Sequence, residues 1–381
     1  MGKVEYSKGL EGVIAAETAI SEVDGDRGKL YYYGYTIEDL VENCSFEEVT
    51  YLLLYGDLPN SHELETFTQK IRSARDLHPQ ILQMIREFPK EAHPMELLQS
   101  VISYLSGYVE HRIQHSASCN CRTTLHQVAQ LGSVVAAYQR FREGKEYVAP
   151  RKDLSYGANF LYMLNAKEPD DLEGRMMDNM LTIHAEHGFN ASTFTARVVA
   201  STLSTCYCSI SAAIGALYGS LHGGANEKVM EMVEHIGSKA RAREWVNRAL
   251  DQKQKIMGMG HRVYKTNDPR AVIVEEYLRQ LSERKGNFTY HGILKETEAV
   301  FRERMEATGK PIYPNVDFFS GAVYALMGIP KILFTPIFAI ARGPGWLAHV
   351  LEQRLDNRLF RPDAIYTGEV GRKMVPITER P

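Results

Sequence analysis

The stretch "YGSLHGGANEKV", Tyr218 to Val229, sets a histidine between small residues and a pair of glycines, just ahead of a helical pattern. From Val229 the apolar residues fall at Val229, Met232, Val233 and Ile236, the i, i+3, i+4, i+7 spacing of an amphipathic helix, and Gly237 supplies a stop. Gly223 and Gly224 allow backbone or ligand to approach closely, and a helix start leaves N–H donors free nearby. A cation is disfavoured beside a helix N-terminus, so His222 can stay neutral there and donate a hydrogen bond. Taken alone, the stretch also reads as a plain helix-entry turn with a polar side chain.

The same helical spacing runs through most of the chain. Phe46, Val49, Leu52 and Leu53 keep one face, as do Met95, Leu98, Val101 and Ile102. Val198, Val199, Leu203 and Tyr207 extend another pattern into the small-residue run "SISAAIGALYGSL". Small residues from Ser209 to Gly219 suit close helix packing, either in the core or across a dimer interface. "GKLYYYGYTI", Gly28 to Ile37, is the best strand or hairpin segment. No alternating strand–helix series appears, so a doubly wound sheet is not expected.

The chain has 381 residues, 44% of them hydrophobic and 24% charged, enough for one large or two ordinary domains with a sizeable core. With 44 basic against 47 acidic residues the net charge is −3, which gives no general attraction for nucleic acid or an anionic membrane. The N-terminus lacks the apolar core of a secretory signal, and Tyr6 breaks the myristoylation pattern. Ile329 to Ala341 is too short to cross a bilayer. Five cysteines without a secretory context point to reduced thiols in the cytoplasm.

Three further stretches carry candidate chemistry. In "MGMGHRVYKTNDPR", Gly258 and Gly260 form a flexible loop before His261, without the third glycine of a dinucleotide fingerprint. Asp268 is a natural N-cap and Pro269 a natural first helical residue, followed by Val274, Tyr277, Leu278 and Leu281. Arg270 then lies in the first turn, where the dipole disfavours a cation, so it marks either a bound anion or a solvated surface position. In "PNVDFFSG", Asp317 is either an N-cap or a carboxylate base at a helix start. "HAEHGFNAST" places His184 and His187 three apart, hence on one helical face. A set formed by His111, His115, Cys119 and Cys121, with Cys206 and Cys208, does not have the usual zinc spacing, and no metal is expected.

Taken together, these motifs resemble those of the citrate synthase family, from "GLEGVIAAETAIS" and "GYTIEDL" to "ARGPGWLAHVLEQ" and "RLFRPDAIY". The resemblance implies an all-α fold, with a large domain over 1–218 and 321–381 and an inserted small domain over 219–320. It implies condensation of acetyl-CoA with oxaloacetate, the CoA thioester being a co-substrate and no cofactor being tightly bound. A close alternative is 2-methylcitrate synthase chemistry with propionyl-CoA. His222 would hydrogen-bond the thioester carbonyl, Asp317 would take the methyl proton, and His261 would act on the ketone. His187, Arg270, Arg342 and Arg361 match oxaloacetate-binding positions, with Arg361 supplied by the second subunit of a homodimer. Gly258, Gly260, Lys265 and Asn315 match CoA-binding positions. The chain departs from frequent family residues at Tyr33, Gly188, Phe189, Ser220 and Met259, which leaves every matched catalytic group in place.

Overall fold

The computed structural model describes residues 6–108, 122–306, 308–309 and 311–380. The aromatic segment near the N-terminus forms an antiparallel ribbon of β1 (Ser21–Asp24), β2 (Lys29–Tyr32) and β3 (Tyr35–Thr36), in that order, with Ser21 opposite Tyr32. The ribbon thus begins one strand before the expected Gly28, because "SEVD" pairs with "KLYY" across the turn.

Sixteen α-helices follow among the described residues. The first five are α1 (Ile37–Asn43), α2 (Phe46–Tyr55), α3 (Ser61–Ser73), α4 (Pro79–Glu87) and α5 (Pro94–Leu105). Capping boxes of Ser45 with Glu48, Asn60 with Glu63, and His93 with Glu96 start α2, α3 and α5. Next come α6 (Arg122–Arg142), α7 (Tyr156–Asn165), α8 (Asp171–His184), α9 (Ala191–Ser201) and α10 (Cys206–Tyr218). Then follow α11 (Ala225–Ile236), α12 (Lys239–Asp251), α13 (Pro269–Lys285) and α14 (Thr289–Glu306), and finally α15 (Asp317–Leu326) and α16 (Phe334–Leu355).

Two helical boundaries differ from the periodic reading. The pattern through Val198, Leu203 and Tyr207 is two helices, because Leu203 takes a left-handed turn (φ 61°) and Thr205 caps α10 through Cys208 N–H at 3.2 Å. Helix α8 ends at His184, and Asn190 caps α9, so His187 sits in the connection and shares no helical face with His184. The expectations for α11 and α13 hold: Gly237 ends the first at φ 73°, and Asp268 and Pro269 open the second. In α10 the run of small residues packs on α5, α9 and α16 within the chain, and a Cβ on Gly215 would lie 2.6 Å from Gln99.

Helix α16 is buried almost throughout its length and touches α2, α6, α8, α9 and α10. A helix apolar all round belongs in the centre of a core. Its "RGPG" step lets the backbone press against the end of α8: a Cβ at Gly345 would meet the Ala185 carbonyl oxygen at 2.2 Å. That approach seats Arg342 beneath α8, with Nε donating to the His184 carbonyl at 2.7 Å.

One internal ion pair ties α2 to the segment after α3. Arg75 is fully buried and donates to Glu47 (3.3 Å) and to the carbonyls of Arg151 (3.1 Å) and Leu154 (2.9 Å). Removing the cation strands the Glu47 carboxylate. Arg75→Met should therefore lower the unfolding free energy by about 3–5 kcal/mol in urea titration at fixed protein concentration. Adding Glu47→Leu should recover part of that loss.

Candidate active site

The turn before α11 presents His222 at one side of the site. Its own N–H is tied to the Gly219 carbonyl at 2.8 Å, and its ring Nε2 faces Ser192 at the start of α9. The Ser192 backbone N–H donates to Nε2 at 3.3 Å, and Ser192 Oγ lies 2.9 Å away. Ser192 Oγ also accepts from the Trp346 indole at 3.1 Å. An acceptor at Nε2 leaves the proton of a neutral ring on Nδ1. Burial, with Arg342 second, holds His222 down to about 4, so the ring is neutral at pH 7. Its neutrality thus comes from burial and a nearby guanidinium, and α11 starts only at Ala225.

His261 shows the opposite nitrogen. Its Nδ1 accepts from the N–H groups of Val263 (3.0 Å) and Tyr264 (3.1 Å), which places the neutral ring's proton on Nε2. Burial and Arg270 hold it down to about 4. His187 stands beside it, ring centroids 5.2 Å apart and nearly perpendicular, with Nε2 3.2 Å from the Tyr264 hydroxyl. Burial, Arg270 and His261 drive His187 well below its ordinary value.

The loop before His261 is clamped to the entry of α15. Gly260 N–H donates to the Tyr313 carbonyl (2.8 Å), and Asn315 N–H donates to the Gly258 carbonyl (2.9 Å). The Asn315 carboxamide spans the two segments, donating to the Gly260 carbonyl at 2.8 Å and accepting from Asp317 N–H at 3.0 Å. Gly258 has φ 76° and sits so close to Phe318 that a Cβ would lie 2.8 Å from its Cα, so only glycine fits.

Asp317 is the first residue of α15 and does not cap it. Its Oδ1 is occluded without a hydrogen-bond partner among the described residues. Burial raises its pKa to about 6, opposed by Arg270 and Arg342. A carboxylate poised near neutrality suits proton abstraction. Arg342 acts electrostatically on His222, His187 and Asp317 alike. Arg270 is buried too, and Asp268 accepts from its Nε at 3.0 Å and its Nη2 at 2.8 Å.

The remaining expected residues stand apart within the single chain. Arg361 is largely exposed on the C-terminal arm, 3.5 Å from Asp363. Lys265 is exposed and paired with Asp26 at 2.7 Å. Ser192, Tyr264, Glu186 and the counter-ion role of Asp268 were not singled out from sequence. The only signal for the last was the Asp-Pro-Arg spacing. His111, His115, Cys119 and Cys121 lie outside the described residues. Among the described residues no group of three or more His, Cys, Asp or Glu side chains is placed to hold a metal ion.

A sequence profile for the citrate synthase C-terminal domain matches residues 9–363. The chain belongs to the citrate synthase family. It is 45% identical to a citrate synthase of Synechocystis over 98% of this chain and 94% of that one. It is 42% identical to 2-methylcitrate synthase 1 of Corynebacterium glutamicum over the full length of both. Crystallographic citrate synthase from Pyrobaculum aerophilum superposes with a TM-score of 0.92 at 42% identity, covering 98% of this chain and 95% of that one. A citrate synthase from Thermoplasma acidophilum, solved as a ternary complex with carboxymethyl coenzyme A and oxaloacetate, gives a TM-score of 0.91 at 32% identity, covering 99% and 100%. These relatives carry the all-α architecture that the family membership implies.

The raised pKa of Asp317 has a stability consequence with a definite sign. Between the unfolded value of 3.8 and the folded value of about 6, the unfolded chain loses this proton first, so stability falls as pH rises through that window. Asp317→Asn removes the penalty. The variant should be more stable than the parent at pH 8, by on the order of 1–3 kcal/mol in the absence of substrate. Thermal unfolding should show the gain fading as pH drops from about 6 towards 4.

Proposed function

We propose that the site condenses acetyl-CoA with oxaloacetate and water, releasing citrate and CoA, as an acyltransferase of the citrate synthase family. What supports this reading is that the chain holds both a carboxylate poised near neutrality, Asp317, and a neutral histidine whose Nδ1–H is unengaged among the described residues, His222. Asp317 takes a proton from the thioester methyl carbon while His222 Nδ1–H hydrogen-bonds the thioester oxygen on which charge develops. A fixed donor in a partly dry site favours that charge over the neutral ground state. The resulting enol carbon attacks the oxaloacetate ketone, and His261 Nε2–H supplies a proton to the new alkoxide. Water then cleaves the citryl thioester.

His187, Arg270 and Arg342 suit the dicarboxylate, since guanidinium forks match carboxylates. The backbone of Gly258 and Gly260, with Asn315 and Lys265, is the proposed CoA edge. Asn315 would act there while also spanning the loop and α15. The proposed small domain, 219–320, carries His222, His261, Arg270 and Asp317, and the large one carries His187 and Arg342, so closure assembles the site. Among the described residues Cys44 and Cys208 are free thiols, which fits a reducing cytoplasmic setting. No helix among the described residues is long and apolar enough to cross a membrane.

A homodimer completes the reading. Beyond α16 the arm from 356 to 380 is exposed and carries Leu359, Ile365, Tyr366, Val370, Met374 and Ile377 on its surface. Apolar surface of this extent supports a second copy of the chain as its cover. Arg361 would then reach a carboxylate in the second copy's site.

Relatives named 2-methylcitrate synthases keep propionyl-CoA as a second reading. One methylene discriminates by only about 1–3 kcal/mol, so both thioesters are expected to react. Release of CoA with oxaloacetate should show a higher kcat/KM for acetyl-CoA than for propionyl-CoA, and the reverse order would assign the second reading. Asp317→Asn should lower kcat by about 10²–10⁴-fold with oxaloacetate binding largely retained. Near-parental turnover would remove Asp317 from the base role.

Subunit mixing tests the shared site. In a heterodimer of Arg361→Ala and Asp317→Asn chains, one site collects both defects and the other collects none. Two inactive variants should therefore regain up to about half of a parental dimer's activity per heterodimer after exchange. Folded heterodimers with no recovery would refute the placement of Arg361.

A further inference from the structure

We propose that Asp268 is a positioning residue for the condensation, its single carboxylate locking the substrate arginine Arg270 and the start of α15 into one register. This inference rests on the proposed function of the site. A helix N-cap needs one side-chain oxygen and one or two early N–H groups. Asp268 does more than that. Its Oδ1 accepts from Arg270 N–H and Arg270 Nε, both at 3.0 Å. Its Oδ2 accepts from Arg270 Nη2 at 2.8 Å and from Val316 N–H at 3.2 Å. Val316 lies 48 positions further along the chain, immediately before the base Asp317.

The carboxylate is almost wholly buried, as is Arg270. A buried charge is tolerated only when its partners are complete, and here four donors converge on two oxygens. The consequence is geometric. Arg270 cannot shift towards an incoming carboxylate without dragging the Val316 peptide, and Asp317 cannot shift without disturbing the guanidinium. The side of Arg270 away from Asp268 remains for substrate.

An electrostatic consequence follows. The charged groups acting on Asp317 are Arg270 from α13, Asp268 from its cap, and Arg342 from α16, with the buried Tyr324 hydroxyl on its own helix. Asp268 is the negative member of that set. It cancels much of the Arg270 charge that would otherwise make Asp317 a weaker base.

Asp268→Asn keeps the size and one acceptor but turns a donor towards Arg270 Nη2 and Val316 N–H. In a folded variant kcat should fall about 100-fold, as expected for a base displaced by roughly 1 Å. The acidic limb of the kcat/KM profile should also move to lower pH, because Asp317 then faces uncompensated guanidinium charge. Parental kcat overturns the proposal, and so does a loss of activity that tracks only the loss of folded protein with the acidic limb unmoved. Should the asparagine variant fail to fold, Asp268→Glu carries the test, since it keeps the charge and moves it by one methylene. Its kcat should fall at least 10-fold with the limb in place, and parental kcat overturns the proposal. An inactive parent enzyme in the same assay would sink the functional reading itself, whereas an active parent indifferent to Asp268 sinks this inference alone.

Discussion

Two arginines have to remain charged in a site largely closed to water, and the arrangement around them depends on how each charge is balanced. Arg270 has its counter-ion in contact. Burial works against its charge, but Asp268 more than offsets burial and holds it above the usual range. Among the described residues Arg342 has no carboxylate in hydrogen-bond or salt-bridge contact. Burial pulls it below the usual range, and Glu186 acts on it from a distance. A guanidinium remains charged in either case. The protein thus leaves the charge of Arg342 less neutralised than that of Arg270. Glu186 is itself kept ionised: burial pushes it up, and His349, Arg342 and Ser21 more than reverse that. Its Oε1 accepts from Ser21 Oγ at 3.0 Å and pairs with His349 Nε2 at 3.1 Å.

The histidines follow from the same charges. With two guanidiniums nearby and little water, protonating any imidazole costs too much, and His187, His222 and His261 are all held down. Neutral imidazoles must divide their nitrogens between one donor and one acceptor. Backbone N–H groups make that choice, occupying Nε2 in His222 and Nδ1 in His261. The donors left over, His222 Nδ1–H and His261 Nε2–H, are therefore determined by the fold.

Much of this was legible in sequence, for reasons that can be named. Helices α11 and α13 combine a clear apolar period with Gly237 at one end and Asp268–Pro269 at the other, so local signals agree. The motif residues of the site were recognisable because they lie in short, unusual strings. The break between α9 and α10 was not, since Leu203 continues the apolar period while its backbone turns left-handed and its side chain meets solvent. Spacing alone cannot report that. The three-residue spacing of His184 and His187 misled similarly, because α8 ends at His184 and His187 lies in the connection to α9. The double use of Asp268 was hidden for another reason. Its cap bond to Arg270 is local, whereas its bond to Val316 exists only once α13 and α15 pack.

The N-terminal ribbon shows how far the site extends beyond its reacting groups. Ser21 Oγ donates to Glu186 and accepts from Gly188 N–H at 3.1 Å, while the Tyr32 hydroxyl donates to the Glu186 carbonyl at 2.8 Å. These contacts grip the chain on both sides of His187. At the other end of the same ribbon, Lys265 N–H donates to the Gly25 carbonyl at 2.9 Å. A Cβ on Gly25 would collide with the Val263 carbonyl at 2.2 Å, so the turn lies flat against the loop that follows His261. One short antiparallel ribbon therefore touches the segments carrying both histidines. Any motion that parts His261 from His187 must either break the turn away from the loop or bend the ribbon between Gly25 and Ser21. At its turn end only β1 and β2 pair, and a ribbon two strands wide twists readily. Bending it costs less than deforming a helix, so the ribbon is a soft link between the segments that carry His187 and His261.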